Sequence, residues 1–425
     1  MGVIGTPGCG ANAPILPSTR RLVSSREMVL NLIAGGLGTG LFSLPWSMAG
    51  ASVLVGIAMT VAVVLVNAFT IMILVYAAEE HKVFDLGNLL GLLPGRLGRF
   101  MRVFTNAVVW LVLLGVLVSY VIVIHDSARP FVRGTSLDHG RLPVIVLAAL
   151  VVLPLSFLRQ KYLSWTSSVA ALVNAYLIAL FCARFWAEAH SQRLPEGSCM
   201  YGLSNGSFAM VGNLATCIII QMCVLPMYEE LEGRTPAKFC GILARAFAVL
   251  IVVFCCFATF GYLTIGPDVQ PNALTDLPHG ILNGVAKVGT LCVVAAIYPI
   301  MVIPMVAPIR NLSPTAFAPP GAPARVVERA RQAAVAGAKV LIALLCCAGA
   351  LLIEDLSFVN VIGGAVSVGV FTAWGPAAVG LYLLDRRSLA WRCAMHVLVF
   401  AGAVLAIMGV VLNKNYKEQL AASCR

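Results

Sequence analysis

This sequence predicts an all-α protein that crosses a membrane many times, built from two oppositely oriented halves of five spans each and one further span. Three observations predict that fold. Of the 425 residues, 60% are hydrophobic and only 11% charged, with mean hydropathy +0.92, which leaves no room for a sizeable soluble domain. Apolar runs of about 17 to 25 residues recur throughout, each long enough for a hydrocarbon core roughly 30 Å thick. Two of these runs are interrupted at matching places, each ending in a Leu-Pro pair.

Residues 1–27 read as a polar, basic tail with no apolar core of its own, so a cleavable signal peptide is not expected there. The predicted spans are 28–50, 53–77, 103–125, 142–158 and 162–186 in the first half, and 207–228, 239–265, 281–306, 332–353 and 357–383 in the second. An eleventh span covers 391–412, and a tail of 413–425 follows. The segment with Glu79, Glu80, His81, Lys82, Asp85, Arg96, Arg99 and Arg102 is too charged to be embedded, and the proline-rich stretch NLSPTAFAPPGAPAR marks a clear break after span eight. With the N-terminus in the cytoplasm, twenty of the 29 Lys and Arg residues fall on that side and nine on the other. This is the bias that orients membrane proteins, and it also accounts for the net charge of +11 without a nucleic-acid partner. The 13 cysteines lack zinc spacing. Most, including Cys217, Cys223, Cys255, Cys256, Cys346 and Cys347, lie in apolar runs as small hydrophobes, with Cys199 the main one in a loop on the far side.

The first interruption lies in NLIAGGLGTGLFSLPW, residues 31–46, where Gly35, Gly36, Gly38 and Gly40 precede Pro45. Glycine makes helix easy to lose and proline removes a donor. Irregular backbone at membrane depth is tolerable where it is buried in protein or lines a cavity, and there its freed N–H and C=O groups can hold a zwitterion or an ion. A glycine-rich surface for close helix contact is the competing reading. The second interruption is in span six, where Gly212 and Asn213 precede Gln221, and Pro226 closes the run before Tyr228, Glu229 and Glu230. Leu44-Pro45 and Leu225-Pro226 occupy corresponding places. Five spans per half is an odd number, so the halves take opposite orientations, and paired interruptions point to a central transport site.

These segments resemble the amino acid/auxin permease family, which includes sodium-coupled neutral, proton-coupled and vacuolar amino acid transporters. Asn31 with GGLGTGLFSLPW is similar to the family's first-helix pattern, QMCVLPMYEELEGRTPAKF (residues 221–239) to its sixth-helix signature, and GYLTIG (residues 261–266) to the close of its seventh helix. The resemblance implies the leucine-transporter-like 5+5 inverted repeat with broken helices one and six, an inside N-terminus, and substrate held at the two breaks. Many sodium-coupled members carry a histidine where Gln221 stands, and use a helix-eight hydroxyl with the helix-one Asn. Helix eight here reads VVAAIYPIMVIPMV, whose only hydroxyl is the phenol of Tyr298, and it looks more like the proton-coupled and vacuolar branch.

The candidate substrate contacts are Ala34, Gly35, Gly36, Gly38, Thr39, Cys217 and Gln221; the Thr39 hydroxyl can equally bond back to its own helix. Coupling or gating candidates are Asn31, Asp126, Glu229, Glu230, Lys287 and Tyr298. Asn31 is either a neighbour of ion or substrate or part of a helix–helix hydrogen bond. Glu229 and Glu230 sit at the cytoplasmic end of span six near Arg234 and Lys238, which reads as a gate or interfacial salt bridge. Lys287 can snorkel to the outer surface. His125 and Asp126 end span three, Asp126 as a possible outer-gate charge. Trp46, Trp110 and Trp165 read as interface or packing aromatics. No Walker A loop, metal-ligand cluster or selectivity-filter repeat is present, so the expectation is a secondary transporter that needs no cofactor and is not an enzyme. Its expected partners are an amino acid, protons as coupling ion in a symport, and membrane lipid, with no obligate protein partner. The alternatives are a uniporter or a nutrient sensor on a transporter scaffold. The plasma membrane and a vacuolar or lysosomal membrane both fit.

Overall fold

The structure is a computed structural model that describes residues 22–135, 140–157, 166–190, 197–278, 280–310, 312–317, 322–385 and 388–411, together with 195, 319 and 424. The tail before residue 22, Trp165, Arg159 and Lys161 lie outside the described residues.

The first described helix is α1 (Ser25–Gly36), opened by a capping box in which the Glu27 N–H donates to the Ser24 hydroxyl and the Ser24 N–H to the Glu27 carboxylate. It breaks at residues 37–38, runs through a 3₁₀ turn (Thr39–Ser43), and continues as α2 (Leu44–Ala51) with Pro45 in the first turn, where a missing N–H costs nothing. Then come α3 (Val53–His81), a short α4 (Leu86–Gly91) capped by Asp85, α5 (Gly95–Val132), α6 (Leu142–Leu155) and α7 (Thr166–His190). The sixth predicted span is two helices, α8 (Gly206–Cys217) and α9 (Gln221–Glu229), separated by residues 218–220. α10 (Pro236–Ile265) starts on a Thr235 cap, and α11 (Ile281–Arg310) and α12 (Ala324–Leu352) follow. The tenth predicted span is α13 (Leu356–Ser367), a π-helical segment (Val368–Trp374) and α14 (Gly375–Tyr382); α15 (Leu389–Val411) comes last.

The protein is therefore an all-α, polytopic membrane protein. Among the described residues nine helices are long and apolar enough to cross a membrane, ten if the α1–α2 pair, bent by 51°, is one span, and the only pairing outside helices is a single bridge between Val23 and Leu231. The apolar α6 has 14 residues and ends at Leu155, with Ser156 and Phe157 in a turn after it; of the predicted fourth span only residue 158 lies outside the described residues.

Burial separates the centre from the rim. The α8–α9 and α13–α14 spans are 72% and 78% buried, whereas α12 and α15 are 22% and 17% buried and turn Leu344, Phe400 and Val411 outward, as lipid-facing helices do. α2 packs on α8, and α8 on α13. The α8–α13 crossing is so close that a Cβ on Gly364 would fall 1.6 Å from the Gly212 carbonyl oxygen, the small-residue contact that lets membrane helices approach.

Two boundaries differ from the sequence expectation. α5 spans 38 residues, about 57 Å at 1.5 Å per residue, so it projects beyond a roughly 30 Å hydrocarbon core. Arg96, Arg99 and Arg102 ride on its first turns, and His125 and Asp126 lie inside the helix, not at its end. Charged residues ended the predicted span because they cannot sit in lipid, but a helix has no need to stop where lipid does. α12 likewise begins at Ala324, eight residues before the apolar run.

Candidate functional site

The break in span one is where backbone becomes available. Gly38 is extended (φ −88°, ψ −174°), and nothing lies within 4 Å of the place where its Cβ would be. Beside it is a cavity of about 20 Å³, room for about one water, lined by Leu37, Gly38 and Phe42 from the break, Tyr120 of α5, Val173 and Asn174 of α7, and Thr290, Val293, Val294 and Ile297 of α11. Gly35 is exposed, its nearest neighbour at the Cβ position being Ile220 at 4.0 Å. Gly36 and Gly40 serve packing instead. A Cβ on Gly36 would meet Leu250 of α10 at 2.7 Å, and one on Gly40 would meet the Cys217 sulfur at 2.7 Å. The ligand-cavity and packing readings of the glycine run thus both hold, at different glycines.

Below α2 a buried polar network fixes the break to its surroundings. Asn360 of α13 accepts from Ser119 of α5 (3.1 Å) and donates to Ser43 (3.1 Å), its carbonyl accepts from Thr216 (2.6 Å), and Asn213 of α8 donates to Ser47 (2.9 Å). Buried polar groups are costly unless satisfied, so this network specifies how the 3₁₀ turn, α2, α5, α8 and α13 meet.

The break in span six is filled. Ile218 and Ile220 are buried, Cys217 is buried against Gly40, and the Gln221 side-chain amide donates to Asn67 of α3 (2.8 Å) and Thr372 of the π segment (3.4 Å). Asn31 is exposed on α1 and Ala34 half-buried; Thr39 begins the 3₁₀ turn. Tyr298 is buried on α11.

At each end of the bundle, segments remote in sequence are tied together. On one side the loop 266–278 folds inward, burying Val269, Ala273, Leu274 and Leu277, and the Ala273 N–H donates to the Phe42 carbonyl (3.0 Å). Burial pushes the Asp276 carboxyl in this loop up, opposed by the Gln270 N–H and the nearby Lys287 ammonium. On the other side Val23 exchanges backbone hydrogen bonds with Glu230 (2.8 Å) and Glu232 (3.0 Å), and Glu79 of α3 accepts from Tyr228 (3.0 Å) and Arg234 (3.3 Å). Arg234 also lies 4.3 Å over the Phe84 ring.

A chain of apolar helices, one of them broken into extended glycine backbone beside a small cavity, suits the passage of a small solute. The transmembrane amino acid transporter protein family matches residues 22–412. The chain belongs to that family. It is a membrane transporter of amino acids, an integral multi-pass protein and not an enzyme. Among its relatives, amino acid transporter AVT6E of Arabidopsis thaliana is 21% identical over 91% of this chain and 82% of its own length. Sodium-coupled neutral amino acid symporter 2 of Danio rerio is 22% identical over 67% of this chain and 62% of its own. Vacuolar amino acid transporter 4 of Saccharomyces cerevisiae is 24% identical over 62% and 37%. In three dimensions the transporter shares its fold with a manganese transporter of Eremococcus coleocola, at 11% identity and TM-score 0.53, covering 97% of this chain and 92% of that one.

Within this amino acid transporter, Arg234 is held from two elements. The carboxylate that holds Arg234 is Glu79, while Glu229 offers Arg234 its backbone carbonyl (3.3 Å), and Lys238 reaches the Glu232 carbonyl. The α9–α10 turn directs the guanidinium across to α3, and adjacency in sequence to Glu229 and Glu230 gave no sign of it. Thr290 escaped the sequence reading because it lies one turn before the apolar segment of helix eight. Its hydroxyl, which lines the cavity, is bonded to the Ala286 carbonyl (2.9 Å).

Proposed function

We propose that the chain is a secondary transporter of eleven spans, a leucine-transporter-like 5+5 inverted repeat that moves amino acids by alternating access, sodium-independent and proton-coupled, of the proton-coupled and vacuolar type. The observation that carries this reading is the extended backbone at Gly38 beside a small cavity, between contacts that tie the bundle together at either end. The cavity as it stands holds about one water, so binding an amino acid requires one of the two closures to open, which is the motion alternating access demands. The five-helix repeats 28–186 and 207–383, with breaks in the first member of each, support the inverted arrangement. α6 supplies the eleventh span.

The proposed orientation puts the N-terminus in the cytoplasm and residue 424 outside. The disulfide between Cys199 and Cys424 supports it, because the two cysteines must share one side and six candidate spans, an even number, lie between them. Such a bond belongs on a face open to an oxidising compartment, as the exterior or an organelle lumen reached through secretion is.

Freedom from sodium is supported by two placements. Asn31 is exposed and not among the residues lining the cavity, and the Thr290 hydroxyl is already turned to its own helix. A bare sodium ion needs several oxygen ligands to repay its dehydration. A proton needs one group whose affinity differs between the two facing states. The test is uptake into proteoliposomes of a panel of labelled amino acids across about pH 5.5 to 8, in sodium or choline. Expected is uptake that rises as the donor side is acidified and changes little with sodium. A strict sodium requirement overturns the reading, and uptake indifferent to a collapsed proton gradient makes the protein a uniporter.

A further inference from the structure

Residues 266–278 carry proline, asparagine and aspartate, the composition of a solvated connection, yet Ala273 and Leu274 are entirely or almost entirely buried. Three contacts hold this loop, each to a different element. The Ala273 N–H reaches the Phe42 carbonyl in the span-one break (3.0 Å). The Asn272 amide donates to Asp126 of α5 (3.1 Å), whose other oxygen is engaged by His125 (3.0 Å). The Lys287 ammonium, buried in the second turn of α11, donates to the Leu277 carbonyl (3.1 Å). The loop is preorganised for these contacts: Asn272 accepts the Leu274 N–H and Asp276 the Gln270 N–H.

We propose that Asp126 and Lys287 are positioning residues that latch the loop 266–278 shut over the span-one break, one pin on α5 and one on α11. The assignment rests on the transporter reading above and names the groups that hold one of its two closures. The chemistry suits a latch that must release. Asp126, Asn272 and Asp276 line a cavity of about 710 Å³ together with Arg129 and Arg141, so water stands ready to replace the Asp126–Asn272 bond. Lys287 is different. Its charge is buried among Asp276, which attracts it, and Arg133, which repels it, so it holds the Leu277 carbonyl for want of water and is hydrated when the loop lifts. A loop held by Val269, Leu274 and Leu277 alone would have no such solvent-exchangeable contacts.

The test reads the loop and not transport. Leu274→Cys places a thiol under the closed loop, and its modification by a maleimide is followed by mass spectrometry of that peptide in protein reconstituted in nanodiscs. Lys287→Met should speed modification by about tenfold, the loss expected from one charge-assisted hydrogen bond on a locally opening segment. Asp126→Ala should speed it several-fold, and Lys287→Arg should restore protection. A Val23→Cys thiol at the opposite end should keep its rate in all three, which general loosening would not allow. Unchanged modification of Leu274→Cys in both Lys287→Met and Asp126→Ala overturns the latch, as does equal acceleration at Val23→Cys. If Lys287→Met does not fold, the Asp126→Ala result decides alone. An absence of amino acid uptake with the modification pattern intact would overturn the transport reading and leave the latch standing.

Discussion

The two helix breaks differ in how far they bend the chain and in how they are filled. In span one the chain leaves the helix at Leu37 and Gly38 and presents backbone to a cavity, with nothing within 4 Å of where a Gly38 Cβ would be. In span six the chain leaves the helix between Ile218 and Ile220, and both isoleucines, with Cys217 and the engaged Gln221 amide, occupy the space that the interruption creates. An interrupted helix supplies unpaired backbone groups, but it becomes a place for a ligand only where the side chains are small enough to leave those groups accessible. Glycine does this at one break and isoleucine prevents it at the other.

That contrast can be broken by experiment, and the largest effect belongs to the open break. Gly38→Leu puts a side chain into the cavity without touching a neighbour at Cβ, so uptake should fall to background while the protein reaches the membrane in normal amount. Gly36→Leu should behave otherwise. Its Cβ meets Leu250, and the expected result is a lower melting temperature and less folded protein. Equal abundance of the two variants with equal loss of uptake would erase the distinction between them. At the filled break, Ile220→Ala should cost about 2–4 kcal/mol of stability in a denaturation series, as emptying a buried aliphatic site does. The smallest effect is expected from Gln221→Met, which removes the hydrogen bonds to Asn67 and Thr372 at about 0.6 kcal/mol each, the average for such contacts between membrane helices. A loss of uptake far beyond that stability change would mark Gln221 as a substrate contact.

Much of this architecture was legible because membrane helices must satisfy their own backbone, so apolar runs and their interruptions become elements almost directly. Gly38 marked the first break, whereas the second, at residues 218–220, carries neither glycine nor proline: Gly212 and Pro226 lie inside α8 and α9. What failed to show was contact between segments remote in sequence. Glu79 meets Arg234 across 155 positions, and nothing near either residue announces the other. The loop 266–278 was unreadable for a related reason: its polar residues bond to helices α5 and α11 instead of to water, and only the apolar Val269, Ala273, Leu274 and Leu277 hinted at burial. The roles of neighbouring glycines were equally hidden, since Leu250 and Cys217, which distinguish Gly36 and Gly40 from Gly38, come from α10 and α8.

The bond between Cys199 and Cys424 turns the second half of the polypeptide into a covalent ring whose two closing residues are 225 positions apart. During synthesis the first cysteine must wait, as a thiol, until every helix from α8 to α15 has been made and threaded into the bilayer. Ring closure is therefore a late event in biogenesis, reporting that the later spans have all arrived with the correct parity. A nascent chain that skipped one of them would present its second cysteine to the wrong compartment, and non-reducing electrophoresis after a cut in the stretch 312–323 would separate the two pieces of such a chain while leaving those of the mature protein joined.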